Sequence, residues 1–269
     1  MVKLSKEYVE GCLELADSER SKLTAEEREL TGDNSPKLKS LINNLCAKDG
    51  TTYLELGVYR GASLISAMYG NLQTKAIGVD NFSYDTKEVK KVPPKGYIWT
   101  NVQSALHDRI KIYSNTHGPQ VFSGDNVKII EEDFTKIEWQ KQPRFDIINF
   151  DLLPITYDNL DALFDLVIKK AAAMECVVII NGYSDIQKSE WVDNTLERYS
   201  SDFEVNYKFQ RVSSSQRDYF GYYSGVCIVG LTRKPAKAAP VDSKPALAKS
   251  TVAKSTVSVT PPTKKSSNT

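Results

Sequence analysis

Several features that mark whole protein classes are missing from this sequence. No apolar run approaches the ~20 residues needed to cross a bilayer, so a membrane span is not expected. Met1 to Asp17 carries Lys3, Lys6, Glu7 and Glu10 with no apolar block, which does not read as a secretory signal. The four cysteines (Cys12, Cys46, Cys176 and Cys227) lie far apart and form no CxxC pair, which counts against a zinc cluster or a disulfide framework. Their mostly apolar neighbours suggest buried free thiols in a reducing compartment, hence a cytoplasmic protein. Histidine is scarce, with only His107 and His117, and no Asp-x-Asp tripeptide supports a sugar-nucleotide-modifying enzyme.

What remains is ordinary for a globular chain of 269 residues, with 41% hydrophobic and 26% charged residues. The net charge of +1 hides an asymmetry. From Arg233 to Thr269 eight basic residues face one acid, Asp242, giving +7 and leaving −6 on the remainder. An acidic body does not suggest a specific nucleic-acid surface. From Lys234 onward there is no aromatic residue, five prolines occur, and Lys, Ala, Ser and Thr recur, as in the near-repeat AKSTVAKSTV. Such a segment buries too little apolar area to offset its ordering entropy and is expected to be disordered. It reads as a solvated tail or as an electrostatic tether. Three parts are therefore expected: a helical extension over 1–34, a domain over 35–233 and the tail over 234–269.

Within the extension, Leu4, Tyr8, Cys12 and Leu15 recur at helical spacing and predict helix over Met1 to Leu30. Ser35-Pro36 gives an N-cap followed by proline at the first helical position of a helix that runs through Leu38, Leu41, Ile42 and Leu45 and is closed by Asp49-Gly50. Strands and helices then alternate. Strands are expected at Thr52–Leu56, Lys75–Asp80, Val127–Glu131, Phe145–Phe150 and Cys176–Ile180. Helices are expected at Gly61–Tyr69, Val102–Tyr113, Tyr157–Ala173 and Glu190–Tyr199. The stretches VKII, FDIINF and CVVII are short and apolar, as in parallel strands covered on both faces. Phe203–Phe209 and Gly225–Leu231 follow with no helix between them and predict an antiparallel hairpin at the sheet edge.

The most informative stretch is Tyr53-Leu-Glu-Leu-Gly-Val-Tyr-Arg-Gly-Ala-Ser-Leu64. A strand ending in Glu55 runs into Gly57 and Gly61 and then a helix. Gly57 permits a tight turn and close approach by a ligand, and Gly61 lets the helix start come near the same ligand. In open α/β sheets, ligands sit in this crevice at the carboxyl ends of the strands. Asp80 ends the next strand 25 residues after Glu55, where an acid can accept hydrogen bonds from a ribose diol. In Ile129-Ile-Glu-Glu-Asp-Phe134, Asp133 can accept from an adenine amino group and Phe134 can pack on the ring. Asp146-Ile-Ile-Asn-Phe-Asp151 puts another carboxylate at the tip of the fourth strand. The loop lacks the second glycine of the dinucleotide fingerprint, since Val58 and Tyr59 follow Gly57, which disfavours nicotinamide or flavin.

With ELGVYRG, GVDNF, EEDF and NFD in this order, residues 35 to 232 resemble the class I S-adenosylmethionine-dependent methyltransferases. ELGVYRGAS with VDNFS looks most like the small-molecule or sugar O-methyltransferase members. The resemblance implies a Rossmann-like, seven-stranded, mostly parallel sheet with helices on both faces, order 3-2-1-4-5-7-6 and the last strand antiparallel. It implies S-adenosylmethionine as cofactor, held by Glu55, Gly57, Val58, Tyr59, Gly61, Asp80, Asn81, Asp133 and Phe134. It also implies Asp151 as the catalytic residue and a small-molecule acceptor.

The chain departs from this family in one telling place. Many members follow the fourth strand with D-G-x-H, whereas this chain has Asp151-Leu-Leu-Pro154, so Pro154 replaces the histidine. Asp151 is then a base, or simply a hydrogen-bonding partner of cofactor or substrate. Asn181 and Asp185 with Asp151 offer a partial oxygen set for a divalent cation, but Asp185 reads more simply as a helix cap and no metal is expected. Ser83 to Thr100 is a lid or a solvated connector. Tyr219, Phe220, Tyr222 and Tyr223, between the last two strands, wall an acceptor or pack the sheet edge. Two functions follow: methyl transfer to a small hydroxylated acceptor, or a binding protein that keeps the fold without turnover.

Overall fold

A computed structural model describes residues 4–30, 32, 34–83, 102–152, 156–183, 186–212, 222 and 225–235. Pro154, Asp185, Tyr219, Phe220, Tyr223, most of the 83–100 loop and the tail beyond 235 lie outside the described residues.

The elements run α1 (Lys6–Asp17), α2 (Ala25–Arg28), α3 (Pro36–Leu45), β1 (Thr52–Leu56), α4 (Ala62–Met68), β2 (Lys75–Val79) and α5 (Val102–His117). β3 (Val127–Ile130), β4 (Phe145–Phe150) and α6 (Tyr157–Ala162) follow, the last continuing through a π-helical stretch (Leu163–Ile168) into α7 (Lys169–Ala171). The chain then forms β5 (Ala172–Asn181), α8 (Ile186–Arg198), β6 (Phe203–Arg211) and β7 (Val226–Arg233). The seven strands lie in the order β3-β2-β1-β4-β5-β7-β6. β1 to β5 pair in parallel, while β7 is antiparallel to both β5 and β6. This is the doubly wound sheet expected from the sequence.

The register matters for the site. Leu56 pairs with Val79 of β2 and with Phe150 of β4, so the tips of β1, β2 and β4 end level with one another. Alternation along β1 splits the core into two layers. Tyr53 joins the layer containing residues of α1, α3 and α4, whereas Leu54 and Leu56 join the layer formed by Phe145, Phe150, Leu160 and Phe164.

The structure corrects two local expectations. The N-terminal region is two helices rather than one, and α1 buries Val9, Cys12, Leu13 and Ala16 while Leu15 stays exposed. Leu4 and Cys12 are buried and Tyr8 packs against the core, so of the expected face only Leu15 is left out. β3 is the outer strand and only half-buried: Val127 and Ile129 pack against one core layer and Ile130 against the other, while Lys128 is exposed as an edge guard. The terminal pair is antiparallel at the sheet edge, as expected, with β7 between β5 and the outermost β6. α3 is buried almost all round. Its polar residues are satisfied there: the Asn43 side chain donates to the carbonyls of Ser66 (2.7 Å) and Tyr69 (2.8 Å), closing the end of α4.

α1 is also tied to the far end of the chain. The Tyr207 hydroxyl donates to the Leu4 carbonyl at 2.8 Å. Asp17 accepts from Arg211 Nη2 at 2.9 Å and from the Tyr222 hydroxyl at 2.9 Å. Among the described residues no helix is long and apolar enough to cross a membrane.

Candidate functional site

Between β1 and α4 the backbone turns left-handed three times, with φ of +88° at Gly57, +50° at Tyr59 and +76° at Gly61. The turn is pinned by Gly57 N–H to the Val79 carbonyl (2.9 Å) and Gly61 N–H to the Val58 carbonyl (2.8 Å). Glycine at 57 is demanded by the protein itself. A Cβ there would lie 2.5 Å from the Asp151 carbonyl oxygen, at the tip of β4. The sequence reading assigned this close approach to a ligand; the first neighbour is the adjoining strand end. A Cβ at Gly61 would meet Leu106 of α5 at 2.3 Å.

Asp80 follows β2 and is 3% exposed. Its Oδ2 accepts from Tyr59 N–H and its Oδ1 from Phe82 N–H, each at 2.8 Å. Both donors have positive φ without being glycine, +50° at Tyr59 and +49° at Phe82. Such conformations cost of order 1–3 kcal/mol each and persist only where the surroundings enforce them. The carboxylate is thus held rigidly by two strained backbone amides, and two of its roughly four acceptor positions are assigned to them.

One cavity of about 240 Å³ opens at the carboxyl ends of β1 to β4, lined among others by Gly57, Asp80, Asn81, Asp133, Phe134 and Leu152. Asp133 caps a short turn: its Oδ1 accepts from Thr135 N–H (2.9 Å) and Thr135 Oγ1 (2.7 Å). Those bonds hold its carboxyl below the usual carboxylate range. Phe134 is buried in the cavity wall, edge-on to Phe150 with centroids 6.3 Å apart. Thr156 and Asn159 of the α6 start also line the cavity, a contribution that no motif announced.

Four of the predicted cofactor residues do not line it, and neither does Asp151. Val58 packs downward, its Cγ2 only 2.7 Å from where a Cβ of Gly78 would stand. Tyr59 contributes its amide, while its ring stacks with Arg60 at 5.1 Å. Gly61 caps α4. Glu55 is fully buried on the opposite face of β1, where it accepts from the Ser63 hydroxyl and from the Tyr53 hydroxyl at 3.2 Å. Burial pushes its carboxyl well above the ordinary carboxylate pKa, against the opposing Ser63 bond. Glu55 therefore braces α4 against β1.

Asp151 stands beside the glycine loop, its N–H bonded to the Leu56 carbonyl at 2.9 Å. Its Oδ2 accepts from the side chain of Asn34 at 3.0 Å, a partner 117 residues away with no local signature. Asn181, at the end of β5, donates its amide to Asn149 at 3.2 Å. Among the described residues no three metal-ligating side chains cluster. Both histidines sit on α5, away from the tips of β4 and β5: His107 contacts Glu131 at 2.9 Å, and His117 lies 3.9 Å from Glu27. Tyr222 is buried with its hydroxyl on Asp17, so that member of the aromatic set serves packing.

No protein-family profile matches the sequence, and no curated protein is similar to it. Solved structures of methyltransferases share the fold. The S-adenosylhomocysteine-bound Podospora anserina methyltransferase PaMTH1 is similar at 14% identity and a TM-score of 0.49, over 87% of this chain and 99% of that one. The Bacillus cereus O-methyltransferase in complex with S-adenosylhomocysteine is similar at 16% and 0.48, over 86% and 93%. A putative rRNA methylase from Clostridium thermocellum is similar at 13% and 0.44, over 77% and 99%. At such identities and scores these likenesses decide neither cofactor nor acceptor.

Proposed function

We propose that this chain binds S-adenosylmethionine in the cavity at the tips of β1 to β4 and transfers its methyl group to a small-molecule acceptor, such as a sugar or another hydroxylated compound. One observation carries the reading: a buried carboxylate, Asp80, is clamped by two strained amides at the wall of a cavity that also holds Gly57 and Asp133. Backbone strain clusters at ligand clamps, and an acceptor-only group suits vicinal hydroxyls.

The donor set fits the cofactor. Both bonds to Asp133 fall on Oδ1, and among the described residues Oδ2 accepts none, so it can take an adenine amino proton. The wall of Phe134 and Leu152 suits a flat base. A volume near 240 Å³ is below the ~300–1,000 Å³ of sites that enclose a whole drug-sized ligand, and suits the adenosine half. When bound, the sulfonium supplies an electrophilic methyl group for in-line displacement. This chain's residues hold the adenosine rigidly and present Asp151, beside Gly57, to orient the acceptor or receive its proton.

A second reading keeps the cofactor but not turnover. It is favoured by the position of both histidines on α5, which leaves Asp151 without an imidazole among the described residues around it. Calorimetry with S-adenosylmethionine and S-adenosylhomocysteine tests the shared premise, with Asp80→Asn expected to weaken both at least tenfold. Undiminished binding by that variant would overturn the site. Radiolabelled methyl transfer to fractionated small metabolites then separates the two readings.

A further inference from the structure

Another cavity, of about 340 Å³, lies at the opposite end of the sheet. The first residues of β1 and β2, Thr52 and Lys75, line it, whereas the last residues of the same strands, Leu56 and Val79, line the cavity assigned to the cofactor. At ~3.3 Å per residue the strand from Thr52 to Leu56 spans about 13 Å, so the two are separate sites. The crossover from β3 to β4 explains the opening. Between Ile130 and Phe145 the chain forms two short 3₁₀ turns, Phe134–Lys136 and Trp139–Lys141, and no α-helix. A doubly wound sheet is normally covered by a full helix at such a crossover. Without one, Ile77 and Phe145, both of the core layer on that face, line a groove together with Val127 and Pro143.

The charges around this groove are unbalanced. Strand alternation puts Lys75 on the same face as Ile77, and the β2–β3 register sets Lys128 directly opposite Ile77. Both lysines are exposed and both line the groove. Among the described residues neither ammonium has an acceptor or an acid partner. Asp125 is the one acid among the described lining residues, which leaves a net positive charge. Two ammonium groups beside an apolar floor select an anion carried on an apolar body. The body displaces water from Ile77 and Phe145, and the anionic head takes charge-assisted hydrogen bonds from the lysines. A cation gains from neither, and a neutral apolar molecule gains from the floor alone.

We propose that this groove is a second ligand site, for a small amphipathic anion such as an aryl or alkyl carboxylate. Lys75 and Lys128 select the charge, and Ile77 and Phe145 hold the apolar body. The site stands whether or not the strand-tip cavity takes the methyl donor.

The test is a fluorescence titration of the full chain with two probes, 8-anilinonaphthalene-1-sulfonate and N-phenyl-1-naphthylamine, which lacks the sulfonate. Lys75→Glu combined with Lys128→Glu weakens the sulfonate about tenfold and leaves the neutral probe within twofold. Lys128→Trp, which fills the groove from an exposed position, weakens both. Unchanged sulfonate affinity in the double variant, or equal losses of both probes, overturns the proposal. So does displacement of the sulfonate by S-adenosylhomocysteine, which puts the probe at the strand tips instead. Two other occupants leave their own marks, and either result overturns the small anion. A rise in affinity for both probes on removal of 236–269 assigns the groove to the tail. Self-association in light scattering that the sulfonate reverses assigns it to a second copy. Thermal melting by circular dichroism checks that the variants fold. Should the double Glu variant melt early, Lys75→Gln with Lys128→Gln takes its place, with an expected sulfonate loss of about threefold.

Discussion

Replacing Glu55 by glutamine should remove a pH-dependent loss of stability and leave ligand binding untouched. In the native state Glu55 is wholly buried between Ser63 and Tyr53, and burial raises its pKa well above the ordinary value. In the unfolded chain the carboxyl titrates near 4.3. Below that pH both states carry the proton and the site costs nothing. Above it the unfolded chain releases a proton that the native protein retains, so stability falls as pH rises until the native group ionises too. The slope is about 1.4 kcal/mol per pH unit for as long as the native group keeps a proton that the unfolded chain has released. Glutamine keeps an acceptor for Ser63 and matches the shape of the protonated acid, but does not titrate. Urea unfolding of both proteins at pH 5, 6, 7 and 8 gives the difference free of every other group. Glu55→Gln should gain on the parent over this range, while its S-adenosylhomocysteine affinity stays within twofold. Parallel pH profiles would refute the buried-acid argument, and a tenfold loss of binding would restore Glu55 to the cofactor's surroundings.

Three further outcomes follow from the geometry. Gly57→Ala must place a Cβ at φ +88° and 2.5 Å from the Asp151 carbonyl oxygen, so the ligand-free protein should lose at least about 2 kcal/mol in chemical denaturation; a loss below about 0.5 kcal/mol would show the loop relaxing freely. Asp133→Asn should weaken S-adenosylhomocysteine about tenfold, and the unaltered protein should bind it equally well at pH 5 and pH 8, because the Thr135 bonds keep Asp133 ionised throughout; a marked fall in affinity at pH 5 would contradict this. Lys39 has its pKa pushed down to about 8 by burial, with Glu29 opposing the shift and Arg109 adding to it. Its contribution is present above the unfolded value near 10.4 and lost as pH falls toward 8, so stability relative to Lys39→Met should rise between pH 8 and pH 10. A flat difference in thermal denaturation across that range would count against a buried amine.

The sheet could be read from the chain because its central strands are continuous apolar runs set between helices, and FDIINF at β4 spans the residues expected. Periodicity fails where a partner, rather than a pattern, decides burial. Nothing in VKII says that it is outermost, and nothing in α3 says that its polar side would also be covered. The same limit applies at the site. Gly57, Asp80 and Asp133 could be found because a turn and two strand ends dictate where they sit. The place of Glu55 is harder to read, because alternation along β1 sends every second side chain to the opposite face and the motif does not record which. Asn34 left no trace, since a contact across 117 residues has no local signature.

The bonds from Leu4 and Asp17 to Tyr207, Arg211 and Tyr222 have a consequence for how the molecule is made. During synthesis the first helix can pack on α3 early, but its seat stays incomplete until β6 leaves the ribosome. The sheet cannot close sooner either, because its last strand slots between two earlier ones. Contacts so distant along the chain make for slow folding and a prolonged need for chaperones. A ribosome stalled short of β7 would release a product with an open sheet edge and an unseated helix, fit for aggregation rather than for binding.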